Sequence, residues 1–498
     1  MRYFRCIPSS WRRCDVAGVS ASDLVRQACT DATEWGKGAS VGGTCVDRGP
    51  VWRRWPALRS WVPRRRSARG TSMALSAVAI TALVLAGCSN STGHSSGSSN
   101  SQGVLAHQLI VGGIAAESGP LAAEFSPVFD GVQAYFDYVN AKGGVNGRKL
   151  VYSAKLDDAT DPAQDTADAR RLVEQDHVFA VVGVSTPTFA GAGYLALNKI
   201  PTFGYLINTQ WFHHPTLFGQ DGSYLDLLHP GPEIAYLAHK VHARSVAVLA
   251  YSQAQSAQCA QGFVNSFHEF GIHVGLVDES IPFGVTSLST DIQRMKQDGV
   301  NFVATCMDLS GNVLVATALR QAGMSNVVEF WPNGYSESAL RSYPNLMQGV
   351  YFLSTFVPFE APALYRGRYL GMARFLRVMH TYFPNELPNE VALAGWLDAQ
   401  LFVRGLRAVG RHVTRSALVR AINNMDHWTG GGIQPPVDWR VAHNSQGPLD
   451  CAAFIQVRNG HFVPVFGTPP SVFRCFPYPQ PKPPTLKAIP LPAGVPRA

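Results

Sequence analysis

The chain has 498 residues, 46% apolar and 15% charged, which suits folded domains with sizeable cores and excludes a disordered chain. Its formal charge of +8 is unevenly placed: residues 1–72 hold 14 Lys/Arg against 5 Asp/Glu, and the rest hold 28 against 29. The larger part is therefore near neutral and lacks the basic balance of a nucleic-acid-binding domain.

Residues 1–72 carry WRRC, VWRRWPALRS and WVPRRRSARG, with four cysteines and no sustained helical or strand period. Two readings are open: a basic N-terminal arm, or a start set too far upstream. Initiation near Val62 leaves VPRRRSARG as the n-region of a leader, and this is the reading we adopt. The following MALSAVAITALVLAG, residues 73–87, is shorter than the roughly 20 apolar residues of a spanning helix and has the shape of a secretory h-region. Leu85-Ala86-Gly87-Cys88 resembles the bacterial lipobox. That resemblance implies cleavage before Cys88, a lipid on its thiol, and an extracytoplasmic protein anchored to the outer face of the cell membrane. Ser, Gly, Asn and Thr dominate up to residue 103, so 89–106 is expected to be a flexible tether. Gly93-His94-Ser95-Ser96-Gly97 matches G-x-S-x-G, but without the strand and helix that a nucleophile elbow needs.

From residue 107 strands and helices alternate. The apolar run QLIVGGIA predicts a strand over 108–115, and Val128, Val132, Tyr135, Phe136 and Val139 recur at helical spacing over 127–141. Gly143-Gly144 closes that helix and Asn146-Gly147 marks a tight turn. Strands then follow at 148–157, 179–184 and 201–205, with helices at 162–174 and 189–198. A second series predicts helix 232–241, strand 245–251, helix 258–270, strand 273–278, helix 288–298, strand 301–306, helix 311–322 and strands 327–331 and 349–352. Helices 364–382 and 390–409 complete it. Two such series predict an α/β protein of two lobes, each a mostly parallel sheet flanked by helices, with the ligand site between them.

The segments VGGIAAESGPLA, GVQAYFDYVNAKGGVNGRKL and DDATDPAQDTADARRLVEQDHVFAVVGVST resemble the Leu/Ile/Val-binding protein family, the type 1 periplasmic binding proteins of branched-chain amino-acid ABC importers. ALRQAG at 318–323, WPNG at 331–334 and AGWLDAQLFVRGLRAVG at 394–410 agree, so the resemblance covers about 107–465. It implies a flytrap with a three-strand hinge: lobe 1 from 107–228 plus 355–410, lobe 2 from 229–354 plus 411–465, and a Pro-rich, extended or disordered tail at 466–498. It also implies a small-molecule solute, an ABC permease as partner, no enzyme activity, no cofactor and no metal.

Carried over residue by residue, the family's contacts fall at Ser118, at Glu124 (where the family often has an aromatic), at Ser185 and Thr186, at Tyr205 and Asn208, and near Ser256. In the second lobe Asp308 follows strand 301–306. Asn333, next to Tyr335, stands where the amino-acid binders present a Glu to the ligand's ammonium. Asn cannot neutralise a buried ammonium, so Asp308 is the residue expected to do so if it faces the cleft. Trp396 is placed to line the pocket. Each position also has a plain structural reading: Ser185 and Thr186 as caps of the next helix, Asp308 as cap of helix 311–322, Asn333-Gly334 as a turn, Trp396 as core. Tyr205, Trp211, Tyr335 and Trp396 hint at a larger or more aromatic ligand. A sensor without transport remains an alternative; a surface hydrolase would need a catalytic constellation that the sequence does not offer.

Cys259, Cys306, Cys451 and Cys475 form an even set in an exported chain, which suggests two disulfides with three possible pairings. Cys259–Cys306 is favoured, because the start of helix 258–270 and the end of strand 301–306 are expected to be neighbours in one layer; Cys451–Cys475 would then staple the tail. The adjacent His213-His214 pair has no third ligand at useful spacing for zinc.

Overall fold

The computed structural model describes residues 101–447 and 449–497; the leader, Cys88 and the tether up to residue 100 lie outside them. Thirteen strands are described: β1 Gln108–Ala115, β2 Lys149–Asp157, β3 Ala180–Ser185, β4 Thr202–Gly204, β5 Leu217–Gly219, β6 Val246–Tyr251, β7 Val274–Ile281, β8 Phe302–Cys306, β9 Val328–Phe330, β10 Tyr351–Ser354, β11 Leu449–Arg458, β12 His461–Val465 and β13 Phe473–Pro477.

The first sheet is parallel throughout, in the order β2-β1-β3-β4-β5. All six residues of β3 are buried, as expected of a strand covered on both faces. Val182 points into the core built with helices Val128–Asn140 and Glu390–Val409. Val181 and Val184 join the opposite core with Leu172 and Leu195. The second sheet runs β12-β11-β10-β9-β8-β6-β7, with β13 also on β11. Strand β6 (VAVLAY) divides in the same way. Val246, Val248 and Ala250 face helices Pro232–Lys240 and Ala254–Glu269, while Ala247, Leu249 and Tyr251 face Ser289–Gln297 and Leu309–Gln321. Strands β6 to β10 are parallel; β11, β12 and β13 add antiparallel pairs.

The chain passes between the sheets three times: after β5, after β10, and into β11. These passages form the hinge. Two segments lie elsewhere than the sequence suggests. Helix Arg415–Asn423, in the stretch expected with the second lobe, packs on the first: Leu418 and Ile422 sit against Gly405, and the Arg415 guanidinium donates to the carbonyls of Phe179 (2.9 Å) and Val178 (2.6 Å). The Pro-rich tail is not wholly unstructured, since Phe473–Pro477 pairs with β11 and Val495 is buried. In both cases tertiary pairing decides, and a single chain pattern does not display it.

Cys259–Cys306 ties helix Ala254–Glu269 to the end of β8, and Cys451–Cys475 joins directly opposed residues of β11 and β13. Helices Val128–Asn140 and Glu390–Val409 approach through a pair of glycines. A Cβ on Gly131 would lie 1.8 Å from the Ala392 carbonyl oxygen, and one on Gly395 would lie 2.1 Å from that of Val128. Gly131→Ala is therefore expected to force these backbones apart and cost about 1–3 kcal/mol, read as a lower midpoint in urea unfolding; an unchanged midpoint would contradict the contact.

Candidate functional site

Between the lobes lies a cleft of about 540 Å³ whose wall is mostly apolar, with Leu121, Phe125, Ile207, Leu225, Leu227 and Phe283 among its residues. Its polar groups emerge at the carboxyl ends of the parallel strands, where open α/β sheets bind ligands. Beyond β1 comes Glu124; beyond β3, Thr188; beyond β4, Tyr205. The second lobe supplies Tyr251 as the last residue of β6 and Ser256 beyond it, Asp308 beyond β8 and Asn333 beyond β9.

Asp308 is held firmly. Tyr251 donates its phenol proton to Oδ1 at 2.5 Å, the Gly311 amide donates to the same oxygen at 3.0 Å, and Ser310 donates to Oδ2 at 2.6 Å. It is thus both the cap of helix Leu309–Gln321 and part of the cleft wall, so capping does not withdraw it from the cleft. The strand end that presents it is fixed as well. Ser256 accepts from the Tyr251 amide (2.7 Å) and donates to the Cys306 carbonyl (2.5 Å), beside the Cys259–Cys306 bridge. Ser256 lines the cleft but spends its hydroxyl on this scaffold. Asn333 donates to the Met307 carbonyl at 2.9 Å and its own carbonyl accepts from Asn312 at 3.2 Å, so it braces the loop while facing the cleft.

Glu124 faces Asp308 from the other lobe. Burial, with the charge of Asp308 added, pushes its carboxyl up from 4.5 to about 7. No Lys, Arg or His lies in the cleft wall among the described residues. The stabilisation linked to Glu124 is complete below its unfolded value near 4.5 and lost as pH rises through about 7, because ionisation puts a charge in a buried place and, secondly, opposite the charge of Asp308.

Not every expected residue reaches this cleft. Trp396 is core, 1% exposed, edge-on to Tyr135 at 4.7 Å and to Phe375 at 5.6 Å. Tyr335 is buried outside the wall, stacked on Phe359 and donating to Glu360 at 2.6 Å. Trp211 packs on Phe189. Of the four aromatics that hinted at an aromatic ligand, only Tyr205 lines the cleft. Ser185, Thr186 and Asn208 are buried below the wall; the Thr186 hydroxyl is turned to the Asp158 carboxylate, the Ser185 hydroxyl and the side-chain oxygen of Asn208 have no hydrogen bond, and the Asn208 amide donates to the Thr186 carbonyl at 3.3 Å. The next helix begins only at Ala192, with no side-chain cap, so Ser185 and Thr186 do not cap it. Ser118 is exposed at the rim, its amide donating to Asp157 at 3.1 Å. Sequence reasoning missed Tyr251, Phe283 and Thr188, whose hydroxyl is buried without a partner. The signal for Tyr251 was its place at the end of a fully buried strand.

Replacing Asp308 by Asn is expected to lower the Glu124 pKa from about 7 by removing the opposing charge, while burial keeps it above 4.5. Carboxyl ¹³C NMR titration measures this; an unmoved Glu124 would mean that the two groups do not face each other.

A family model described as periplasmic binding protein matches residues 108–461. The Leu/Ile/Val/Thr-binding protein of Salmonella typhimurium is 28% identical over 208 residues, 40% of this chain and 54% of that protein. The chain thus spans about half the length of the curated relatives it matches. Among solved structures, the branched-chain amino acid transporter substrate binding protein of Streptococcus pneumoniae in complex with isoleucine superposes with a TM-score of 0.60 at 19% identity, over 71% of this chain and 97% of that one. A fatty acid ABC transporter substrate-binding protein from Thermomonospora curvata gives 0.60 at 15% identity, over 73% and 92%. With its two parallel-sheet lobes and interlobe cleft, this chain belongs to the periplasmic binding protein family and has the type 1 fold of the Leu/Ile/Val-binding proteins.

Proposed function

We propose that this protein is the extracytoplasmic solute receptor of an ABC importer, tethered to the outer face of the membrane through a lipid on Cys88, and that it captures a small apolar solute bearing an ammonium group. The observation that carries the solute class is the pair Glu124 and Asp308, one carboxylate from each lobe, in a cleft wall with no basic side chain among the described residues. An ammonium placed between them replaces a repulsion by two attractions and draws the lobes together. Only a solute that interacts differently with the open and closed forms shifts their populations.

Asp308 takes the part that the Glu at the Asn333 position plays in the amino-acid binders, and the apolar wall suits an aliphatic side chain. The unpaired Thr188 hydroxyl offers a donor to an amino acid's carboxylate. Isoleucine, bound in the Streptococcus pneumoniae neighbour, has all three features. A fatty acid, the solute class named for the Thermomonospora curvata neighbour, would bring a carboxylate against two carboxylates.

Thermal shift against leucine, isoleucine, valine, the matching amines, and aliphatic and aromatic acids tests this reading, since a ligand stabilises by RT ln(1 + [L]/Kd). Ammonium-bearing apolar solutes are expected to raise Tm and the acids to leave it unchanged; the reverse pattern would overturn the assignment. Asp308→Asn is expected to weaken binding at least tenfold, about 1.4 kcal/mol. Binding is also expected to weaken as pH falls through about 7, because the cation selects ionised Glu124; calorimetry at pH 6 and 8 gives the comparison. Stimulation of ATP hydrolysis by a reconstituted permease separates a transport receptor from a sensor.

A further inference from the structure

The carboxyl ends of the first sheet's strands meet the cleft. The opposite end, where the chain enters β1 to β5, forms a pole of the first lobe. The segments 101–107, 141–149, 174–179, 198–201 and 212–216 come together there. Residues 410–420 join them: Arg415 donates to the Val178 and Phe179 carbonyls, and Arg148 donates to those of Leu105 (2.8 Å) and Arg411 (3.2 Å). These six stretches hold seven Lys/Arg and two Asp/Glu, whereas residues 73–498 as a whole hold 28 and 29. The two acids, Glu174 and Asp176, are already matched by Arg170 at 3.7 Å and Arg171 at 3.4 Å. Lys142, Lys149, Lys199, Arg411 and Arg420 are exposed, and none of them forms an ion pair among the described residues. A near-neutral protein thus carries one basic end, the charge pattern that steers a molecule onto an anionic surface.

The pole is also hollow. Between helices Ala192–Leu197 and Arg415–Asn423 lies a cavity of about 570 Å³. Lys199 and Arg420 stand in its wall, and no Asp or Glu does among the described residues. Thr216, also in the wall, is 8% exposed, and its hydroxyl is buried without a hydrogen-bond partner. A buried hydroxyl left unpaired is costly, and here it lies in a wall with two unpaired cations, so the fitting occupant is an anion with acceptor oxygens. Leu197 lines the same cavity and is 82% exposed, an apolar group left in water beside a charged pocket. A phospholipid surface offers both matches, a phosphate next to hydrocarbon.

The course of the chain favours that surface. The first described residues are rooted at this pole: the Gln102 side-chain oxygen accepts from Arg415 at 3.5 Å, and its amide donates to the Val173 carbonyl at 3.3 Å. Cys88 lies thirteen residues before Ser101, at most about 45 Å of extended chain. A lipid on Cys88, as proposed above, makes the pole the face of the folded part nearest its anchor. We propose that this pole rests on anionic phospholipid, with a phosphodiester headgroup held by Lys199, Arg420 and the Thr216 hydroxyl. The choice of a membrane as occupant rests on the lipid reading of Cys88; the basic pole and its cavity do not. In this stance the strand ends that form the cleft point away from the bilayer.

The test reads amide hydrogen exchange of the protein, purified from membranes and reconstituted on vesicles of phosphatidylglycerol with phosphatidylcholine or of phosphatidylcholine alone. Amides of 195–199 and 411–420 are expected to exchange more slowly on the anionic vesicles, and those of Ser289–Gln297 in the second lobe to exchange alike on both. Lys199→Glu with Arg420→Glu is expected to abolish the difference. Arg294→Glu with Lys296→Glu, an equal change of charge on the second lobe, is expected to keep it. The Tm of each variant reports that it folds. Equal exchange on the two vesicle types would overturn the proposal, and so would equal loss in both double variants, which would mean net charge alone. Protection reproduced by inorganic phosphate without anionic lipid would make the cavity a site for a free anion, and protection seen only with the permease present would make the pole a protein contact; either result would also overturn it. Intact mass reads the lipid on Cys88 separately. Were the protein found without lipid, co-flotation with the same vesicles makes the comparison, and the pole variant is expected to bind about tenfold or more weakly than the second-lobe variant. The two readings can therefore fail independently.

Discussion

Two carboxylates that face each other across a gap between lobes set the conditions for everything else in this molecule. Glu124 and Asp308 share a cleft that, among the described residues, has no basic side chain in its wall. Their mutual repulsion is weak in bulk water and several-fold stronger at the lower effective dielectric of a protein. The surrounding structure must hold them in place against it. Asp308 is clamped by three hydrogen bonds, and the strand end behind it is pinned by Ser256 and a disulfide. Glu124 sits on a short helical turn after β1, a less constrained mounting. One carboxylate is thus fixed and the other can adjust, which is a workable division for a site that closes on its ligand.

The fold serves this arrangement by aiming the strand ends of both sheets at one gap. Strands β1, β3 and β4 from one side, and β6, β8 and β9 from the other, each deliver a residue or two to the cleft. Helices on both faces of each sheet fix those ends, and alternate residues of β6 show how one strand feeds two cores. The glycine contact between helices Val128–Asn140 and Glu390–Val409 brings a long helix from late in the chain onto the first lobe. The second and third passages flank that helix in the chain, so its docking helps to set the hinge.

The sequence displays the parts of this plan that depend on local pattern. The apolar runs of β1, β3, β6 and β8 and the helical spacing of 128–139 mark the two lobes, and helix 390–409 is legible to the residue. Asp308 is legible as a cleft residue because it closely follows a strand, and Asn333 through the family resemblance. Depth is what the pattern lacks. Trp396 lies in the first half of its helix, where residues 391–399 are all buried, so no exposed position beside it reveals which side meets the cleft. Ser185 and Thr186 lie one or two residues short of Pro187-Thr188, which line the cleft, a difference finer than strand boundaries read from sequence. Strands β11 and β13 were missed because Pro and Gly break up their surroundings and their pairing spans the chain's last fifty residues.

The pairing of β13 has a consequence for the integrity of the second lobe. Residues 449–453 of β11 hydrogen-bond to β13, while the next stretch of the same strand pairs with β10 and β12. Without β13, the first half of β11 would show a row of open amides and carbonyls beside the apolar Ala452 and Ala453. Such an edge is a template for pairing with another copy of the chain. The Cys451–Cys475 bond fastens the cover over it. The C-terminal segment thereby acts as a guard against self-association, and a cut near residue 466 would expose this flank only once the Cys451–Cys475 bond is also reduced.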